Sequence, residues 1–271
     1  MRDKTVLITG STDGVGRKVA LELGKLGANV LLHGRNAQRA EETAGEIRKG
    51  GGRATFHPAD LSSLAEVRAL AAAVARDHAR LHILINNAGI GTRTGGPQRR
   101  TSVDGHELRF AVNYLAGFLL TRLLLPLVRS STSARIVNVA SAGQAPIDFD
   151  DVMLTRSYDG AQAYRQSKLA QVMFTIDLAQ ELAGSGITVN CLHPATYMAT
   201  TMVREAGVSP ISTVEEGADA ILNLAVSPAL AGRGGLYFNR KQEARANAQA
   251  NDKAARLRLR ELSIRLIGGE R

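Results

Sequence analysis

The sequence predicts an α/β fold: a single doubly wound parallel sheet with helices on both faces. Three observations carry this. Short apolar runs alternate with stretches of helical apolar spacing along the whole chain. The first run, Lys4-Thr5-Val6-Leu7-Ile8-Thr9, passes through a glycine turn, Gly10-Ser11-Thr12-Asp13-Gly14-Val15-Gly16, into an amphipathic pattern at Val19, Ala20, Leu23 and Leu26. The length of 271 residues suits one domain with a sizeable core. Strand, glycine turn and helix in that order open a Rossmann-type dinucleotide-binding sheet.

Within the turn, Gly10 permits the tight bend, Gly14 lets backbone approach a pyrophosphate, and Gly16 allows close helix–strand packing. The helix N-terminus then faces the anion. Asn29-Val30-Leu31-Leu32-His33 is the second strand. An acid at its end would bond the ribose 2′-hydroxyl of NAD, but the chain continues Gly34-Arg35-Asn36. Arg35 suits a 2′-phosphate instead, with Arg17 in support, so the expected cofactor is NADP(H). Asp13 would oppose that phosphate if it pointed inward. The third strand is expected at 54–61. Its Asp60, followed by Leu61, suits the adenine amino group and equally suits capping a helix that begins near Ser62 or Ser63.

That helix runs through Val67, Leu70, Ala71 and Val74 to a fourth strand, Leu81-His82-Ile83-Leu84-Ile85, which ends in Asn86-Asn87-Ala88-Gly89. Residues 91–100 are polar and glycine-rich, a loop. The next helix carries Leu108, Val112, Leu115 and Phe118, and with them Asn113. A buried amide must be hydrogen-bonded, so Asn113 either holds backbone in place or serves the site. A fifth strand, 135–141, delivers Ser141 to the C-terminal edge, where parallel sheets bind ligands. Residues 143–160 are a loop with an acidic stretch. A sixth strand, 187–192, ends in His193-Pro194-Ala195-Thr196. Residues 197–212 read as an irregular substrate lid, largely apolar through Tyr197, Met198, Met202, Val203, Val208 and Ile211. A helix at 214–225 and a last short strand at 235–238 complete the pattern.

Composition narrows the function. Nothing before the first strand resembles a signal peptide, and the apolar run from Leu115 to Val128 is broken by Arg122 and Pro126, so no membrane span is expected. The single Cys191 excludes an internal disulfide and a cysteine-based metal cluster, and a reducing cytoplasm is expected. The scattered histidines read as structural, with no metal-ligand spacing. Of the net charge of +9, residues 240–271 contribute nine Lys/Arg against four Asp/Glu. Aromatic residues are not interleaved with these cations, so nucleic acid is not expected, and the segment reads as a solvated basic helix.

The chemistry centres on Tyr164-Arg165-Gln166-Ser167-Lys168, in a helical pattern spanning roughly 161–182. Tyr164 and Lys168 fall one turn apart on one face. A cation beside a phenol favours the phenolate, and a phenol tuned downward exchanges protons with a carbonyl or alcohol oxygen. Tyr158 is a rival phenol, but the residue four beyond it is the uncharged Gln162.

These pieces together closely resemble the short-chain dehydrogenase/reductase family over nearly the whole chain: Thr9-Gly10-x-x-x-Gly14-x-Gly16, Asn86-Asn87-Ala88-Gly89, Asn113, Ser141 and Tyr164-x-x-x-Lys168, in the family's order. The stretch Thr101-Ser102-Val103-Asp104-Gly105-x-Glu107-Leu108, Val112-Asn113-Tyr114 and the long Ser141–Tyr164 spacing resemble its retinol-dehydrogenase-like, NADP(H)-using branch. The resemblance implies Tyr164 as general acid or base and Lys168 as its tuner and a ligand of the nicotinamide ribose. It also implies that Ser141 bonds the substrate oxygen, that Asn113 holds a water, and that Asn87, Ala88 and Gly89 line the cofactor ribose. Two departures stand out. The family's Pro-Gly after the sixth strand is Pro194-Ala195, and its downstream threonine falls at Ala199, leaving Thr196 and Thr200 as alternatives for the nicotinamide carboxamide.

The expected catalytic set is therefore Asn113, Ser141, Tyr164 and Lys168. The expected cofactor contacts are Gly10, Ser11, Thr12, Gly14, Val15, Gly16, Arg35, Asn36, Asp60, Leu61, Asn87, Ala88, Gly89, Tyr164, Lys168, Pro194 and Thr196, with no metal. The expected activity is NADP(H)-dependent hydride transfer to or from a carbonyl or alcohol carbon, with reduction of a bulky lipophilic ketone or aldehyde foremost. The alternative is a non-catalytic NADP(H)-binding sensor or scaffold of the same fold. Homo-oligomerisation is left open.

Overall fold

A computed structural model of the protein describes residues 1–94 and 96–269. Gly95 of the predicted 91–100 loop, and Glu270 and Arg271 of the C-terminal segment, lie outside the described residues. Among the described residues, the strands β1 (Thr5–Ile8), β2 (Asn29–Gly34), β3 (Arg53–Pro58), β4 (Ile83–Asn86), β5 (Arg135–Val139), β6 (Thr188–His193), β7 (Tyr237–Asn239) and β8 (Gln242–Glu243) form one sheet. Its order is β3-β2-β1-β4-β5-β6-β7-β8. Neighbours are parallel except β7 and β8, which pair antiparallel.

The strands are short apolar runs because both faces of the sheet are covered. Side chains alternate between the faces. Val6, Ile8, Val30, Leu32, Ile85 and Val137 pack with helices α1 (Gly14–Lys25), α2 (Ala37–Lys49) and α7 (Val214–Val226). Leu7, Leu31, Leu84, Ile136 and Val189 pack with α3 (Leu64–Asp77), α4 (Ala116–Arg129), α5 (Gly160–Glu181) and α8 (Lys253–Leu266). Each such fully buried aliphatic side chain contributes about 1.5–3 kcal/mol. A register slip of one residue would exchange the two faces, so the register is strongly specified.

The sheet winds outward in both directions from β1 and β4, whose registers meet at Ile8 and Ile85. At such a reversal the outgoing connections diverge and leave a crevice at the C-terminal edge. The glycine turn stands at the end of β1, Asn87 at the end of β4, and Ser141 just past β5. Here the structure shortens the prediction. Asn87 N bonds back to Ile85 O, and Ala140 N to Asn138 O, each at 3.1 Å. These turns take the chain off the sheet, so Ala140 and Ser141 lie beyond β5. Similarly, β3 ends at Pro58, a residue tolerated on an edge strand, and Asp60 and Leu61 belong to the connection.

Other expectations are corrected. The 197–212 segment is not wholly irregular: Thr200 caps a five-residue helix, α6 (Thr201–Glu205). The strand expected at 235–238 is not the last, because β8 returns antiparallel to it. The basic C-terminal helix is solvated on one side only. Arg256 is buried and donates to Ala250 O at 2.8 Å, and Ser263 Oγ meets the Tyr114 hydroxyl at 2.7 Å. Before α4, Phe110–Leu115 form a π-helical turn that carries Asn113. The stretch Phe110–Arg129 is long and apolar enough to cross a membrane by length and composition, but 67% of its most apolar window is buried inside the domain.

Candidate active site

Helix α5 starts at Asp159, whose carboxylate accepts from Ala161 N and Gln162 N. That cap fixes the first turn, and Tyr164 follows just after it. Lys168 lies one turn further, with its Nζ 5.7 Å from the centre of the Tyr164 ring. The ammonium donates to Val139 O and Gln171 Oε1, both at 2.9 Å. Only 4% of Lys168 is exposed. Burial lowers its pKa to about 7, so near neutral pH it is only partly charged.

Ser141 Oγ accepts from Gly143 N at 3.0 Å, and its hydroxyl lies beside Tyr164: a Cβ on Gly143 would stand 3.5 Å from Ser141 Oγ and 3.9 Å from Tyr164 Cε1. The Tyr164 pKa is raised, chiefly by desolvation. The Ser141 hydroxyl beside it works against this, and the nearby lid residue Tyr197 adds to it. This corrects the expectation of a phenol tuned downward by Lys168. The physical reason is that burial acts on both groups: it favours neutral lysine and neutral phenol alike. Ser141 turns its carbonyl the other way, to Tyr237 Oη at 3.2 Å and Gln144 Nε2 at 2.8 Å. A cavity of about 350 Å³ lies on that side, between Ala142, Gln144, Tyr237 and the 244–247 segment.

Asn113 Oδ1 accepts from Ile90 N at 2.7 Å, and its Nδ2 donates to Ile90 O at 3.2 Å and Ser167 Oγ at 3.0 Å. Its amide therefore holds the chain after β4 against α5. A Cβ on Gly89 would stand 3.2 Å from Asn113 Oδ1 and 3.5 Å from Lys168 Nζ, so these three residues meet at one spot.

At the other end of the crevice, Gly10 and Gly14 adopt φ values of +66° and +52°, which L side chains rarely adopt. A Cβ on Gly16 would collide with Gly10 O and Asn87 Nδ2. Asn87 Nδ2 donates to Thr9 O at 2.9 Å and Gly10 O at 3.1 Å, and Ala88 N donates to Thr9 Oγ1 at 3.0 Å. His33 completes the scaffold. Its Nδ1 accepts from Gly10 N at 3.0 Å, and its backbone N–H donates to Ser11 Oγ at 2.9 Å. Burial lowers the His33 pKa to about 4, so the ring is a neutral acceptor. Thr12 rests on Gly34, where a Cβ would approach Thr12 Oγ1 to 2.6 Å. Val15 lies beside Gly217 of α7.

Asp13 does not point inward. It caps α1 and reaches Arg39 Nη1 at 3.2 Å and Thr201 Oγ1 at 2.8 Å. Arg35 is 74% exposed on its side chain and lies 3.6 Å from Asp60 Oδ2. Burial raises the Asp60 pKa, but hydrogen bonds from Ser62 and the charge of Arg35 outweigh it and the net shift is downward. Ser63, not Asp60, caps α3. Arg17 pairs with Glu46 at 2.5 Å, and Asn36 caps α2 through Arg39 N. Leu61 is buried in the core. Pro194 is buried at the end of β6. Thr196 Oγ1 meets His193 Nε2 at 2.9 Å, whereas the Thr200 methyl lies 3.2 Å from where a Cβ on Gly14 would be. In the lid, Tyr197 takes a left-handed φ of +46°, and no apolar side chain of 197–212 is buried in the core.

The sequence reading missed Arg39, His33 as the brace of the glycine turn, and the buried partners of Tyr158. Tyr158 Oη donates to Glu107 Oε1 at 3.2 Å and accepts from Arg109 Nη1. The rival phenol is thus fully committed elsewhere. Glu107 was visible as part of the 101–108 stretch, but nothing in its spacing paired it with Tyr158.

The family model for short chain dehydrogenase matches residues 4–209. Human retinol dehydrogenase 14 is 38% identical over 298 aligned positions, covering 99% of this chain and 87% of the relative. An uncharacterised Mycobacterium paratuberculosis protein of known structure superimposes with a TM-score of 0.79 at 29% identity, over 98% of this chain and 94% of that one. The Pseudomonas aeruginosa RhlG/NADP active-site complex gives a TM-score of 0.71 at 31% identity, over 88% and 95%.

Proposed function

The chain belongs to the short-chain dehydrogenase family, and from that premise we propose that it is an NADP(H)-dependent oxidoreductase that reduces a lipophilic ketone or aldehyde to the alcohol. The observation that carries this is the hydroxyl pair of Ser141 and Tyr164 at the C-terminal edge of the sheet, with Lys168 buried beneath the Tyr164 ring.

A dinucleotide fits the residues around this pair. The left-handed Gly10 and Gly14 leave the turn free of side chains, Asp13 is turned away, and Gly89 keeps the space beside Lys168 Nζ clear. The glycine turn and the N-terminus of α1 would take the pyrophosphate, Arg35 the 2′-phosphate, and Gly89 with Lys168 the nicotinamide ribose. When bound, the reduced nicotinamide supplies the hydride. Ser141 orients the carbonyl oxygen, and Tyr164 gives it the proton. A phenol that stays protonated at neutral pH can give the proton that reduction needs, and the same group takes it back in oxidation. The partly exposed apolar lid favours a lipophilic substrate body.

The test is a panel of ketones, aldehydes and alcohols with NADPH and NADP, and with NADH and NAD, followed by absorbance of the reduced nicotinamide. NADPH oxidation with lipophilic carbonyl compounds is expected. NADPH binding without turnover across the panel would favour a cofactor sensor instead.

A further inference from the structure

Arg109 stands at the start of the π-turn with no exposed side-chain surface, 3.6 Å from the equally buried Glu107. Its donors go largely to backbone: Nε to Gly91 O at 3.0 Å, and Nη2 to Thr92 O at 2.6 Å and Thr94 O at 3.1 Å. Nη1 donates to Tyr158 Oη, which donates in turn to Glu107 Oε1. Glu107 Oε2 accepts from Phe110 N at 2.7 Å. Two glycines show how closely the surrounding parts meet. A Cβ at Gly160, the first residue of α5, would lie 2.7 Å from Thr92 O and 3.3 Å from Arg109 Nη2. A Cβ at Gly91 would lie 2.9 Å from Met202 Cγ on α6. The cluster therefore joins the loop after β4 to the head of α5, about one turn before Tyr164, and that loop in turn abuts the lid.

We propose that Glu107, Arg109 and Tyr158 form a positioning clamp, which fixes the 91–94 loop against the head of α5 and so sets the width of the substrate cleft between that loop, the lid and the Tyr164 hydroxyl. A buried ion pair is a weak device for stability, since a well-packed apolar replacement is often as stable. What a planar guanidinium adds is geometry: a rigid fork of five N–H donors that holds several carbonyls at fixed positions at once. A lysine or an apolar side chain at position 109 would not do this. The kinetic consequence rests on the oxidoreductase reading of Tyr164; the clamp itself does not.

Two variants test it. Tyr158→Phe removes one hydroxyl and leaves the ion pair. Gly160→Ala adds one methyl group that must push Thr92 O away, while alanine has the better helix propensity. A cluster that only supports folding predicts no kinetic change in Gly160→Ala. The clamp predicts that kcat/KM for the best carbonyl substrate falls about ten- to a hundredfold in both variants, through kcat, with the NADPH Kd changed less than about twofold. Amide hydrogen exchange of residues 91–94 should also quicken in both. Wild-type kcat/KM, or wild-type exchange at 91–94, overturns the clamp. If the wild-type protein turns over no carbonyl compound, the oxidoreductase reading fails, and exchange at 91–94 decides the clamp by itself: faster supports it, unchanged overturns it.

Discussion

Tyr158 and Tyr164 stand six residues apart, each with a cation near its ring: Arg109 Cζ at 5.9 Å from one centroid and Lys168 Nζ at 5.7 Å from the other. By residue type and distance the two regions are alike. They differ in what is left over. Around Tyr158, the hydroxyl both donates and accepts, the arginine's bonds go to three carbonyls and the phenol, and both charges are fully buried. Around Tyr164, the hydroxyl has the Ser141 hydroxyl beside it, and among the described residues no carboxylate or guanidinium is bonded to it. A saturated cluster holds a shape, and an unsaturated one can take a substrate oxygen. Spare hydrogen-bonding capacity beside the cofactor crevice, rather than a phenol and a cation, is what marks the site.

The contrast is broken most directly at the two hydroxyls. Tyr164→Phe should lower kcat by about a hundred- to ten-thousandfold, with NADPH binding retained, as read by steady-state kinetics and a cofactor titration. If Tyr158→Phe costs more kcat than Tyr164→Phe, the two roles are reversed. Next comes stability. Arg109→Ala leaves Glu107 buried and unpaired, and should cost about 3–5 kcal/mol in urea unfolding. A loss below about 1 kcal/mol is what an exposed pair would give, and would mean water reaches the cluster.

The same contrast extends to a second arginine. Arg35 is mostly exposed, with one long ion pair, so its side chain is available to a ligand. Arg35→Ala should weaken NADPH about ten- to a hundredfold, equivalent to about 1.5–3 kcal/mol, and leave the urea midpoint where it is. A wild-type protein that prefers NADH would sink this reading of the β2 turn.

A pH-dependent effect is expected at Lys168. Its folded pKa, about 7, lies below the ordinary value of 10.5. Above pH 10.5 the group is neutral folded or unfolded, and burial has no electrostatic cost. As pH falls toward 7, the unfolded chain takes up a proton that the folded chain refuses, so the wild type loses stability. Lys168→Met lacks this term. The Tm of the variant relative to wild type should therefore be highest near pH 7 and fall as pH rises to 10, by about 2–4 °C per kcal/mol of linkage. A difference in Tm that does not vary with pH would show that Lys168 is charged in the folded protein throughout.

Much of the fold was legible because its signals are local and repeated. The strands are apolar runs, and α1, α3, α5 and α7 carry apolar residues at helical spacing. Helix α2 escaped because the face it buries, Ala40, Thr43, Ala44 and Ile47, has helical spacing but only one large apolar side chain, so a search for large apolar residues passes over it. Helix α6 and strand β8 are shorter than any window in which periodicity can be seen. The residues at the crevice were nameable because a glycine turn and a Tyr-x-x-x-Lys pair are fixed in sequence spacing. The phenol's electrostatics were not, because one-turn spacing gives proximity but says nothing of how deeply lysine and phenol are both buried. Nor was the Tyr158 cluster, whose members are 51 residues apart at Glu107 and Tyr158.

His33 has a consequence for the conditions under which a nucleotide can be held. Its ring must be unprotonated at Nδ1 to receive Gly10 N–H; a second proton would set one N–H against another. Its pKa, lowered to about 4 by burial, keeps that from happening through the range in which histidines usually titrate. The cost falls on folding: from pH 6.5 down to about 4 the unfolded chain gains a proton there and the native chain does not, so stability declines over that interval. The protein thus trades acid tolerance of the whole fold for constancy of the nucleotide turn, which keeps one shape at every pH at which the domain remains folded and His33 neutral.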